Sequence, residues 1–316
     1  MTADRHPVIA NQIDAEFGRF LAALPQAPQV IDCLDADRPF DVPTEAEILV
    51  TRNIPGWKQA PAHLDLPALK WVQTFSAGVE VYPDWLKKDR IVSCGRGLTA
   101  PQIAEYVMAA MLLMVKDLAG AVVHGPSDWG PRNLGTLEGG SVGIIGYGAI
   151  GSEIARRALA FGMEVRACRR GPWDSPEEGV IACASPQEVA QASDHIVLAA
   201  PLTPETEGMV NEAFLAGAKR GCHIINIARG GLVDDAALLA ALGDGTVARA
   251  TLDVTTPEPL TDGHPYYGHP NVLLTPHQSF RGGSERARFE RKMAFNLAAY
   301  LSGNPMRDVV DLVRGY

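Results

Sequence analysis

Ser141-Val-Gly-Ile-Ile-Gly146-Tyr-Gly148-Ala-Ile-Gly151 is the stretch that decides the fold of this chain. An apolar run leads into a Gly-x-Gly-x-x-Gly turn, and the turn leads into a helix start. Gly146 permits the tight turn, Gly148 lets the backbone approach a phosphate, and Gly151 lets the helix pack closely on the sheet. The helix N-terminus adds unpaired N–H groups and the positive end of a dipole, so the stretch suits a dinucleotide pyrophosphate. Gly146, Tyr147, Gly148, Ala149 and Ile150 are the cofactor contacts expected from it.

Working outward, strand and helix signals alternate from Val142 onward. Strands are expected at 141–146, 163–168, 195–199, 222–227, 248–253 and 271–274, with helices at 150–161, 186–192, 211–217 and 234–242. Such alternation implies right-handed crossovers and a doubly wound, parallel-sheet (Rossmann) α/β domain. The first hundred residues repeat the pattern more weakly, with strands at 30–34, 48–50, 70–75 and 91–93, which reads as a second, smaller α/β domain. A helix over 281–300, with Phe289, Met293, Leu297 and Tyr300 at helical spacing, follows the last strand and is expected to return to that first domain. The cofactor domain is therefore placed at 99–282, inserted into a domain made of 1–98 and 283–316. Ligands of such sheets sit beyond the carboxyl ends of the strands, which predicts a site in a cleft between the domains.

Composition narrows the function classes. With 316 residues, 47% of them hydrophobic, the chain can bury two cores. A formal net charge of -9 excludes a nucleic-acid or anionic-membrane binder, so an anionic ligand must be met by local cations. Five scattered cysteines with no Cys-x-x-Cys pair signal neither a disulfide framework nor a metal cluster, which fits a reducing cytoplasm. The amino terminus, with Asp4, Arg5 and His6, lacks the apolar core of a secretion signal. Tyr106–Val115 is too short to span a bilayer and reads as part of a buried helix over 101–117. Met108, Met111 and Met114 at helical spacing read as core or subunit interface.

Five further segments carry the chemistry. They are Leu69-Lys-Trp-Val-Gln-Thr-Phe-Ser76-Ala-Gly78-Val with Ala100-Pro-Gln-Ile-Ala-Glu105-Tyr, then Ile225-Asn-Ile-Ala-Arg229-Gly-Gly, then Leu252-Asp253-Val-Thr-Thr-Pro-Glu258-Pro, and Leu274-Thr-Pro-His277. In that order the chain resembles the D-isomer-specific 2-hydroxyacid dehydrogenase family, its glyoxylate/hydroxypyruvate reductase-like members in particular, over nearly its whole length. The resemblance implies a flavodoxin-like substrate domain, with helix 101–117 connecting the domains and forming a homodimer. It implies Arg229, Glu258 and His277 as the catalytic residues, Ser76, Ala77, Gly78 and Val79 as a loop offering backbone amides to a substrate carboxylate, and further cofactor contacts from Pro201, Thr206, Ile227, Ala228, Arg229 and Asp253.

The chemistry follows from the residue types. Reducing a 2-oxo acid needs a cation for its carboxylate and a proton donor for its carbonyl oxygen, which Arg229 and His277 supply. Glu258 would hold the imidazole in place and favour its charged form. An NAD-specific site carries an acidic residue at the end of its second strand, but here that strand ends Cys168-Arg169-Arg170, and guanidinium groups fork onto a 2′-phosphate. NADP(H) is therefore the expected cofactor, with NAD(H) possible, and the expected reaction is NADPH-dependent reduction of a small 2-oxo acid to a D-2-hydroxy acid. Arg52, Trp57, Trp129 and Phe280 are candidates to line the substrate pocket. The alternatives are NAD-dependent oxidation of a D-2-hydroxy acid and a cofactor-sensing corepressor of the same fold. Formate or phosphite oxidation is a poorer match, because formate dehydrogenases carry Gln where this chain has Glu258. Phosphoglycerate oxidation is disfavoured by a chain that ends about forty residues after His277.

Overall fold

The structure, a computed structural model, describes residues 6–118, 120–171, 173, 176–283 and 285–312. Asp4 and Arg5, which figure in the sequence reading, lie outside these, as does Ser284, one residue of the helix expected over 281–300. The chain divides into two compact units, Met1–Leu98 with Gly283–Tyr316, and Thr99–Gly282.

The first unit holds β1 (Val8–Asn11), α1 (Ala15–Ala22), β2 (Gln29–Asp32), β3 (Ile48–Thr51), β4 (Trp71–Thr74), α2 (Asp84–Lys87), β5 (Ile91–Ser93) and, from the far end of the chain, α8 (Glu285–Ser302). Its five strands are all parallel in the order β2-β1-β3-β4-β5, the flavodoxin-like arrangement. β1 is not anticipated by the sequence reading. The final helix belongs here because Phe289, Met293 and Leu297 on one face join Ile9, Phe17, Leu21, Ile48 and Trp71 in a single buried cluster. Arg286 ties its start to Asp14 at 2.6 Å, while Asp14 also caps α1 by accepting from the Phe17 N–H.

The second unit holds α3 (Ala100–Lys116), β6 (Ser141–Ile145), α4 (Ala149–Ala160), β7 (Glu164–Cys168), β8 (Val180–Ala182), α5 (Pro186–Gln191), β9 (His195–Leu198), α6 (Glu212–Ala216), β10 (Cys222–Asn226), α7 (Asp235–Gly243), β11 (Val247–Leu252) and β12 (Val272–Leu274). The sheet is parallel throughout, in the order β12-β11-β10-β9-β6-β7-β8. This is the doubly wound dinucleotide-binding order, with its reversal between β6 and β9. Central strands such as β9 and β10 are buried at every position, as a sheet covered on both faces requires. Met108 and Met111 are core residues beside Val142, Ile144 and Ile154, so the apolar run of α3 serves this unit's own interior. β8 is another strand the sequence reading does not anticipate, a short edge strand with two of its three residues exposed.

Two buried histidines face each other across neighbouring strands of this sheet. His195 Nδ1 lies 3.2 Å from His223 Nδ1, and His223 Nε2 lies 2.9 Å from the Thr251 hydroxyl. One ring's Nδ1–H donates to the other's bare Nδ1, and with both rings neutral the row buries no charge. Burial pushes His195 down to about 4 against the opposing pull of Asp194. His223 is pushed down by burial and then by the neighbouring His195 and Arg249. The folded-state values lie below the unfolded value of about 6.5, so this stability is complete above that pH and is lost as pH falls through the window toward 4. Roughly 3 kcal/mol is at stake from His195 alone. Urea midpoints measured from pH 7 to pH 4 should decline steadily from just below 7, before most carboxylates titrate. A midpoint that stays flat between pH 7 and pH 5 would refute this account.

Candidate active site

Three adjacent parallel strands deliver the three residues singled out as catalytic. Arg229 follows the end of β10, Glu258 follows β11 and His277 follows β12, all on the carboxyl edge of the sheet. The loops meet because of what they lack. Gly230 packs so closely on the next loop that a Cβ there would collide with the Thr255 backbone, so only glycine lets Arg229 sit beside the segment bearing Glu258. Asn226 fixes the start of that turn, its side chain accepting from the Ala228 N–H at 3.1 Å and donating to the Arg229 carbonyl at 2.9 Å. Arg229 itself is half-buried, and its guanidinium donates to the Ala228 carbonyl at 2.8 Å.

His277 and Glu258 form a direct pair. Glu258 Oε2 lies 3.0 Å from His277 Nδ1, while Glu258 Oε1 accepts from the Thr255 N–H at 3.2 Å. The carboxylate therefore fixes which ring nitrogen faces inward and leaves Nε2 to face a substrate. The two side chains are 42% and 41% exposed, open enough for a small molecule to reach them. Phe280 stands edge-on to the imidazole, with ring centroids 5.9 Å apart.

Asp253 holds this corner together. It is 1% exposed, and its Oδ1 accepts from the Thr275 hydroxyl at 2.6 Å and the Gln278 N–H at 2.9 Å, its Oδ2 from the Ser279 N–H at 2.9 Å. Its side chain, expected to contact the cofactor, is thus engaged by the turn that carries His277.

The nucleotide end of the site is built on β6, β7 and β9. Gly146 has φ +102°, and a Cβ on it would collide with the Ala199–Ala200 backbone. Helices α1, α5, α6 and α7 each start on an Asp, Ser or Asn side chain that caps their amides, whereas α4 starts on Gly148 with no side-chain cap. A Cβ at Gly148 would meet nothing within 4 Å, and the first-turn amides of Ala149 and Ile150 have no partner within the helix. These features fit a pyrophosphate. Tyr147 does not share in that surface. Its ring is 8% exposed and packs at 4.5 Å on Trp173, and its N–H donates to the Cys168 carbonyl, because the chain must turn inward before α4 begins. Ile227 is likewise a core side chain.

Arg169 and Arg170 follow β7 and are both exposed. Arg170 reaches the turn after β9, 3.5 Å from the Thr203 hydroxyl and 3.8 Å from Glu205. Thr206 knits that turn by donating to the Pro201 carbonyl at 2.7 Å and accepting from the Thr203 N–H at 2.8 Å. Among the described residues no cluster of His, Cys, Asp and Glu could hold a metal ion.

In the first unit, Ser76–Val79 closes β4. The Ser76 hydroxyl donates to the Gly78 carbonyl at 2.9 Å, Val79 is a core side chain, and Ala77 is exposed, so only backbone is on offer there. Trp57, a candidate for the pocket wall, is instead 3% exposed, donating to the Thr51 hydroxyl at 3.2 Å and packing on Tyr82. The indole is drawn into the core because a buried hydroxyl there can take its N–H. Trp129 is 81% exposed. Two residues assigned no role from sequence, Tyr106 and Thr275, are joined to Asp253 by hydroxyl contacts. A phenol at the start of the apolar run of α3 is the sign in the sequence of the first.

Comparison with known proteins agrees with this geometry. The family profile for the D-isomer specific 2-hydroxyacid dehydrogenase NAD binding domain matches residues 108–279. A glycerate dehydrogenase of Methylorubrum extorquens is 32% identical over 286 residues, covering 84% of this chain and 85% of that one. A human glyoxylate reductase/hydroxypyruvate reductase is 36% identical over 249 residues, 75% of this chain and 76% of that one. Among solved structures, a D-isomer specific 2-hydroxyacid dehydrogenase of Xanthobacter autotrophicus in complex with NADPH and MES superposes with a TM-score of 0.80 at 29% identity, covering 99% of this chain and 100% of that one. An NADPH-dependent glyoxylate/hydroxypyruvate reductase of Sinorhizobium meliloti, in complex with NADP and sulfate, gives 0.79 at 28% identity with the same coverage. The carboxyl-edge trio, the open glycine turn and these matches together make the chain a member of the D-isomer specific 2-hydroxyacid dehydrogenase family, an NAD(P)-dependent oxidoreductase.

Proposed function

We propose that this protein reduces a small 2-oxo acid of the glyoxylate or hydroxypyruvate kind to the D-configured (for glyoxylate, achiral) 2-hydroxy acid, with NADPH as the preferred reductant. The observation that carries the reading is the 3.0 Å pair of His277 and Glu258 beside the Gly230-enforced turn of Arg229. The reduced nicotinamide, when bound, supplies the hydride. Arg229 binds the substrate carboxylate and polarises the carbonyl, a task suited to a planar, permanently charged guanidinium. His277, held through Nδ1 by Glu258, gives the proton on Nε2 to the nascent alkoxide and takes it back in the oxidative direction. Ser76–Val79 is our candidate for backbone donors to the carboxylate.

Two exposed arginines support NADPH, because Arg169 occupies the place where a carboxylate would repel a 2′-phosphate. The relatives crystallised with NADPH or NADP point the same way. We further propose a homodimer, since Leu118, Val122, Val123, Trp129 and Leu134 leave large apolar surfaces exposed along one short stretch. A cytoplasmic enzyme is consistent with the five free cysteines.

Loss of NADPH absorbance with glyoxylate and hydroxypyruvate tests the activity directly, and a protein that only binds cofactor would leave it unchanged. His277→Ala should keep cofactor affinity and lower kcat by roughly 10²–10⁴. Unaltered turnover would remove His277 from the mechanism. NADPH should be preferred over NADH in kcat/KM, and Arg169→Asp should erase roughly 10- to 100-fold of that preference, the worth of a charge-assisted pair. A wild-type preference for NADH defeats the cofactor assignment. Gly230→Ala should raise KM for the oxo acid with the cofactor Kd little changed, because it displaces Arg229; an unchanged KM would show that the close approach is immaterial.

A further inference from the structure

The turn that bears His277 adopts a backbone conformation its sequence does not favour. His277 has φ +48°, in the left-handed region that L residues rarely enter, and such a residue persists only where its surroundings over-determine it. Its N–H donates to the Asp253 carbonyl at 2.8 Å, and the amides of Gln278 and Ser279 donate to the Asp253 carboxylate. These bonds tie the turn to β11. One more bond ties it to a different element.

The Thr275 hydroxyl has a single proton, and at 2.6 Å from Asp253 Oδ1 that proton goes to the carboxylate, which can only accept. Thr275 Oγ1 is therefore the acceptor in its 2.7 Å contact with Tyr106 Oη, and Tyr106 is the donor. Tyr106 sits on α3, 169 residues earlier in the chain. Burial first, with the Asp253 charge adding, pushes its phenol up against the opposing pull of the Thr275 bond, so it stays protonated and able to donate at neutral pH. Its neighbours on α3 include Ile103, Val107 and Ala110, all core side chains, so the hydroxyl serves a polar purpose on an apolar helix.

We propose that Tyr106 is a positioning residue for proton transfer at His277, acting through the chain Tyr106 Oη–Thr275 Oγ1–Asp253. The inference rests on the reading of His277 as proton donor. A hydrogen-bonded tether to a buried helix limits the excursions of the turn, and a proton donor displaced by a fraction of an ångström loses much of its rate.

The test compares Tyr106→Phe, which keeps the ring and removes one donor, with wild type. Turnover should fall about 5- to 10-fold, the rate equivalent of one net hydrogen bond, while KM for the oxo acid and Kd for NADPH stay within about twofold. Hydrogen exchange at the Gln278 and Ser279 amides should quicken by a similar factor. Thr275→Val should lose as much or more, Thr275→Ser should recover most of what Thr275→Val loses, and Tyr106→Phe added to Thr275→Val should cost nothing further, since the two act as one unit. Wild-type turnover and exchange in Tyr106→Phe, or additive losses in the double variant, would overturn the proposal. Should wild type itself reduce no 2-oxo acid, the functional reading fails, and the exchange comparison alone then decides whether the tether exists.

Discussion

The site depends on one buried carboxylate. Asp253 lies at the end of β11, 1% exposed, and gathers donors from residues 275, 278 and 279. A charge so placed is costly unless every lone pair is met by a donor, and meeting them forces the following loop into one conformation. That loop holds His277 in the left-handed region and aims its ring at Glu258. Whatever else it touches, an aspartate at this position clamps the turn that carries the histidine. Strain at His277, on the order of 1 kcal/mol or more, is offset by these bonds.

The parallel sheet explains why three residues so far apart in sequence lie on neighbouring loops. Right-handed crossovers put the ends of successive strands side by side, so loops after β10, β11 and β12 leave the sheet as neighbours. The core beneath them is rigid and apolar through Ile224, Ile225, Ala250 and Leu252. Reactive side chains can then stay exposed without losing their aim, because the backbone under them is fixed by the strand ladder. Gly230 completes the arrangement by removing the one atom that would hold the Arg229 loop apart from its neighbour.

Much of this was legible in the sequence, for reasons that differ by residue. The doubly wound unit announced itself through fully buried strands, whose apolar runs are continuous, and through glycines whose positions have a mechanical cause. Strands β1 and β8 were not anticipated, although β5 and β12 are as short and were. Arg229, Glu258 and His277 are singled out in the sequence by type and order, and the structure sets their loops after three adjacent strands. Side-chain direction was not legible. Tyr147 lies within the glycine turn and yet faces the core, and the bonds of Asp253 to the loop carrying His277 leave no mark in the sequence. Trp57 is largely buried, because an indole with a buried hydroxyl partner is as content inside as at a pocket wall. Direction of a side chain is a tertiary property, and motif spacing is silent about it.

The charge balance raises a last point about how such a protein attracts anions. Its net charge is -9, while a 2-oxo acid and a phosphorylated dinucleotide are both negative. At physiological ionic strength the screening length is about 8 Å, so charges elsewhere on the surface are scarcely felt by a ligand already at the site. What matters is the sign within that radius. Arg169 and Arg170 are exposed at one end of the carboxyl edge and Arg229 stands near the other, each where the reading places a ligand anion. Two carboxylates share that edge: Glu205 lies 3.8 Å from Arg170, and Glu258 is directed at His277. The acidic remainder of the surface keeps the protein soluble without opposing its substrates, because water and salt confine the electrostatics of catalysis to a few side chains on one edge of the sheet.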